Sequence, residues 1–226
     1  MKFFSRNKEL SDPAIIVSSC IRFLLNRITD DLEREGYSWN KPWGVKRYES
    51  MLLAKFILDY SFEKIVEGQL SDDEKNGYYD LSNTSFSSMF NDEFSEVGMN
   101  FEDMQEEIEE KVAAYFKVRR ENRRPPECYY QIYMLITGSQ SLEELEEEIK
   151  KKTAGLEFMR SNENFSTMSA QYESQINQLK QKVAAFDLAD IMLPHMFRSG
   201  RQKLKKINIK KIKALSKILA KKDTKK

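Results

Sequence analysis

The chain has 226 residues, 40% of them apolar and 32% charged, with a formal net charge of +1. Eight glycines, five prolines, seven valines and six threonines are too few for the turns and pleated strands of an all-β fold, so an all-α protein is expected. No two glycines lie within seven residues of each other, which excludes the clustered-glycine loops that cradle dinucleotides or nucleotide phosphates.

The single histidine, His195, removes paired-histidine metal motifs, and Cys20 and Cys128 have no metal-ligand or redox spacing. No apolar run is long enough to cross a membrane, and Met1–Leu10 lacks the apolar stretch of a signal peptide. The expected compartment is therefore reducing and cytoplasmic.

In chain order, Ser11-Asp12-Pro13 is a helix start: Asp12 caps and Pro13 suits the first helical position. Ile16, Val17, Cys20, Ile21, Leu24, Leu25, Ile28 and Leu32 give a helical stripe, and Gly36 stops it. A second helix is expected from Pro42 to about Glu67, with a stripe of Val45, Tyr48, Leu52, Phe56 and Tyr60. Trp39 and Trp43 are expected to pack at the junction between the two.

Residues 69–99 give the weakest pattern. Ser71 and Glu74 have capping-box spacing, and Thr84–Glu96 is expected as a short helix around Phe86, Met89, Phe90 and Phe94. Asp72 to Asn83 partly matches a calcium loop, but Asn83 cannot supply the bidentate carboxylate, so an acidic turn at Asn76-Gly77 is the expectation. Asn100 then caps a helix to about Asn122, with a stripe of Phe101, Met104, Ile108, Val112 and Tyr115. Pro125-Pro126 begins another helix, through Tyr129, Ile132, Tyr133 and Ile136, that ends at Gly138.

Ser141 and Glu144 form a capping box that opens a helix to about Arg160. After a polar break at Ser161–Asn164, Phe165, Tyr172, Ile176, Leu179, Val183, Phe186 and Leu193 alternate by three and four. Two such helices with a short link predict an antiparallel hairpin. Pro194 is expected to close the long helix, His195 to mark a turn, and Gly200 to open the tail. The chain thus divides into a helical body (1–138), an antiparallel hairpin of heptad character (139–199) and a basic amphipathic tail (200–226).

The tail carries the strongest functional signal. From Gly200 onward twelve bases face one acid, a net of +11, and the preceding residues carry −10. An acidic body with a basic end marks an interaction segment. Wound as one helix, residues 201–222 gather Leu204, Ile207, Ile212, Leu215, Ile218 and Leu219 into one apolar arc, with lysines opposite.

The expected function is therefore that of a non-catalytic interaction or assembly protein. Lys205, Lys206, Lys210, Lys211, Lys213 and Lys217 would meet an anionic partner, with Arg123 and Arg124 as a second patch. That partner is an acidic protein surface, the chain's own body or a second copy included, or a weakly sequence-specific nucleic acid; an anionic membrane surface is the alternative.

Lysine without tail aromatics argues against base reading. Glu143/Glu147, Glu106/Glu110 and Asp187/Asp190 place acids on shared helix faces, which leaves a carboxylate-only, metal-dependent enzyme as the rival class. No cofactor, metal or small-molecule substrate is expected.

Overall fold

The computed structural model describes residues 12–34, 43–121, 127–138, 140–160 and 166–223. Every regular element among them is helical: α1 (Pro13–Arg34), α2 (Trp43–Val66), α3 (Asp72–Phe94), a 3₁₀ turn (Ser95–Val97), α4 (Phe101–Glu121), α5 (Glu127–Thr137), α6 (Leu142–Arg160), α7 (Ser166–Leu204) and α8 (Ile209–Asp223). The expected all-α class is the observed one.

The chain forms two compact units. One contains Met1–Asp31, Lys41–Phe116 and His195–Lys226; the other contains Leu32–Asn40 and Lys117–Pro194. These bounds differ from the 138/139 and 199/200 divisions read from composition.

In the first unit, α2 is the central element. Residues 48–59 are all buried, so the helix has neighbours on every side rather than along one stripe. Val45, expected on that stripe, is exposed. Phe56 sits in an aromatic nest, its ring centroid 5.4 Å from Tyr115, 5.2 Å from Phe116 and 5.6 Å from Phe197. The stripe of α1 is buried as expected, from Ile16 to Ile28.

Burial on all sides forces the polar groups of α2 to find internal partners. Lys55 Nζ lies 2.8 Å from Asp59 Oδ2, and Ser82 of α3 donates to Asp59 Oδ1 at 2.7 Å. Beside this cluster Tyr78 stacks on Phe62 with centroids 3.6 Å apart. Its buried hydroxyl has no hydrogen-bond partner among the described residues. Burial first, and then the charge of Asp59, keeps it protonated far above the ordinary tyrosine range. Higher on α2, Glu49 accepts from Lys111 Nζ at 2.9 Å, and the Lys111 ammonium lies 4.7 Å from the centroid of the Tyr48 ring.

The segment Asp72–Phe94 is one helix, so neither a calcium loop nor a turn exists at Asn76-Gly77. Its N-terminus is the expected capping box, with Ser71 and Glu74 bonded reciprocally. The stripe escaped a three-four pattern because Tyr78, Ser82, Phe86, Phe90 and Phe94 recur at strict four-residue steps, one of them polar.

Next, Pro194 does not end the long helix, and His195 is an exposed residue within it rather than a turn. Gly200 does not open the tail either. It lies inside α7, where a Cβ would come within 3.1 Å of Ser61 Oγ and 3.3 Å of Ile57. Glycine there serves close helix packing.

In the second unit, α5, α6 and the first part of α7 share a core of Leu145, Leu179 and Phe186, with Tyr130, Tyr133 and Val183 packed around it. Lys152 bonds Gln175 at 2.9 Å and Arg160 pairs with Glu173, so α6 and α7 run in opposite directions. The α6 capping box at Ser141 and Glu144 is present. The link at Ser161–Asn164 and Trp39 lie outside the described residues, as does the Trp43 side chain.

Candidate anionic-partner surface

The tail is two elements, and the reason is local. The last turn of α7 ends at Leu204, where the Ile207 amide donates to the Leu204 carbonyl at 2.8 Å. Asn208 then caps α8, its Oδ1 accepting from Lys211 N at 3.3 Å. This break resets the helical phase, so the single arc expected over 201–222 is not one face.

Leu204, Ile207 and Ile212 are buried, and Leu215 and Leu219 are half-buried. Ile218, expected in the arc, is 54% exposed, whereas Ile209, expected outside it, is half-buried. The buried line on α8 itself passes through Ile212 and Ser216.

That line docks on α3 at Gly77. The Ser216 hydroxyl donates to the Glu74 carbonyl at 2.6 Å and accepts from the Gly77 amide at 3.0 Å. A Cβ on Gly77 would stand 2.8 Å from Ile212 O and Ser216 N, so only glycine allows this approach. At the edge of the contact, Lys213 Nζ lies 3.1 Å from Glu74 Oε1. The Ser71 amide, with help from Lys213, holds the Glu74 carboxyl below its usual range.

The remaining lysines face outward. Lys205, Lys206, Lys210, Lys211 and Lys217 are exposed and form no ion pair among the described residues. Of the six lysines expected to meet a partner, Lys213 alone is neutralised by a described acid. Arg123 and Arg124 lie outside the described residues.

Upstream on the same unit, Phe23 of α1 and Ser199, Gln202, Lys203 and Lys206 line a shallow groove of about 270 Å³. The Lys203 ammonium lies 4.5 Å from the centroid of the Phe23 ring. Below it, burial pushes the Cys20 thiol up to about 11, against the opposing influence of Lys203. A thiol that stays protonated at neutral pH is a poor nucleophile.

No family model matches the chain, and neither does any curated protein or solved structure.

The carboxylate pairs are placed as follows. Glu143, Glu106 and Glu110 are exposed on their helices, Glu147 pairs with Lys151 at 2.8 Å, and Asp187 is exposed beside half-buried Asp190. Among the described residues no group of three or more His, Cys, Asp or Glu side chains is placed to hold a metal ion. No helix there is long and apolar enough to cross a membrane.

The Gly77–Ser216 lock and the Phe23–Lys203 pair escaped sequence reading. Each joins residues far apart in the chain, and each includes a residue whose type suggested a turn, a surface or ordinary core. A mid-helix glycine opposite a buried serine was the only available signal, and it carries no address.

Proposed function

We propose that this chain is a non-catalytic binding protein whose C-terminal helix presents a fixed lysine face to the phosphate backbone of a nucleic acid, with little sequence preference. One observation supports the reading above all. The lock at Gly77 and Ser216 buries the inner line of α8 while Lys210, Lys211 and Lys217 stay exposed and form no ion pair among the described residues.

A docked helix holds its lysines in place, so binding loses less side-chain freedom and each phosphate contact releases counterions. Adsorption to a membrane needs the apolar face of the helix itself, and on α8 Ile212 is buried, Leu215 and Leu219 are half-buried, and only Ile218 of the expected arc is left exposed. Lysines without tail aromatics are point charges, suited to backbone phosphates rather than base edges.

The test is a salt titration of full-length protein on labelled DNA and RNA, with anionic vesicles and an acidic polypeptide as parallel arms. The reading expects nucleic-acid affinity that falls linearly on a log–log salt plot, by about 0.7–0.9 per phosphate contacted. Lys210→Glu/Lys211→Glu/Lys217→Glu should abolish it. Absence of nucleic-acid binding at low salt, or preference for vesicles that survives high salt, overturns it.

A further inference from the structure

We infer that the groove at Phe23 is a subsite for one unpaired nucleotide, so that the partner of the lysine face is single-stranded rather than duplex nucleic acid. This rests on the function proposed above and sharpens it. The groove lies between α1 and the last turns of α7, inside the same compact unit as α8.

Its lining combines three chemistries that a nucleotide needs together. Phe23 is half-buried and offers a ring to the groove. Ser199 and Gln202 bring a hydroxyl and an amide that form no hydrogen bond to any described residue. Lys203 and Lys206 supply positive charge, and no acid lines the groove.

Inorganic phosphate would use the lysines and leave the ring idle. A duplex keeps the faces of its bases stacked internally, so only an unpaired base can lie on Phe23. Lys203 already holds a cation over this ring. Its flexible stem lets the ammonium swing aside to the phosphate when a base takes its place. The subsite is also close in the chain to the proposed surface, because Lys206 lies in the link that leads through Ile207 and Asn208 into α8.

The experiment measures binding of the full chain to a short single-stranded oligonucleotide and to a duplex of equal length, with Phe23→Leu, Phe23→Trp and the α8 triple charge reversal in parallel. Leucine keeps the apolar volume and removes the stacking face, and thermal melts check that each variant is folded. Wild type should favour the single strand. Phe23→Leu should weaken that binding by about 5- to 150-fold, the range for one lost stacked base, and leave duplex binding unchanged. Phe23→Trp should retain affinity, with its added fluorescence quenched on binding.

Equal or tighter duplex binding by wild type overturns the inference. So does a folded Phe23→Leu variant with undiminished single-strand affinity. If the charge reversal abolishes binding while Phe23→Leu does not, the lysine face stands and the subsite falls; if neither nucleic acid binds wild type, both fall.

Discussion

Lysine does opposite work in α2 and α8. In α2, Lys55 is buried with Asp59 at 2.8 Å and Ser82 at 3.4 Å, and its charge is consumed inside the protein. In α8, Lys210, Lys211 and Lys217 reach solvent, and Lys213 meets Glu74. Neighbours on all sides require a buried charge to be matched, because an unmatched one costs several kcal/mol. A helix docked along one line has no such requirement, so Lys210, Lys211 and Lys217 keep their charge at the surface.

The largest effect that breaks this comparison comes from removing one half of the buried pair. Asp59→Ala leaves Lys55 unmatched and should cost about 3–5 kcal/mol in a denaturant melt. Lys55→Met/Asp59→Leu removes both charges and should recover most of that loss. An equally large loss in the double variant would show that the pair itself, and not charge matching, stabilises α2.

Next comes Gly77→Ala. On an exposed helix face this change gains up to about 1 kcal/mol. Here the added Cβ meets backbone atoms at 2.8 Å. It should instead cost about 1–3 kcal/mol, as overpacking does, and speed proteolysis after the α8 lysines. Stabilisation would mean that α8 is not held at this point.

Ser216→Ala should cost less, about 1 kcal/mol, because it removes one polar link and leaves the close approach intact. Acid sharpens the comparison in the same place. The Glu74 carboxyl titrates below its ordinary value in the folded protein, so its contribution is present at neutral pH and is lost as pH falls through that lowered value. Amide protection factors in α8 should therefore fall in acid before those of the α2 core do.

The smallest expected effect per site on stability belongs to the reversals of Lys210, Lys211 and Lys217. Exposed, unpaired lysines should change unfolding free energy by no more than about 0.5 kcal/mol per site while binding is lost. A large drop in stability would place these lysines with Lys55 as structural residues.

Local signals located most of the helices. Asp12-Pro13, the capping boxes at Ser71 and Ser141, Asn100, and Gly138 act within one turn of themselves, and each stands where expected. Gly77, Pro194 and Gly200 misled for the same reason in reverse. As isolated residues they suggest interruption, yet each sits inside a helix; at Gly77 the backbone of another helix approaches too closely for a side chain, and at Gly200 Ser61 and Ile57 leave only a tight fit.

The amino-acid sequence by itself determined the all-helical class and the segregation of a net +11 charge into residues 200–226. Tertiary structure alone decided which lysines are matched, that the tail breaks at Lys205–Asn208, that α8 is locked to Gly77, and that Phe23 meets Lys203. Capping and composition act over a few residues or over the whole chain. Pairing across the fold depends on which distant residues share one place, and only packing fixes that.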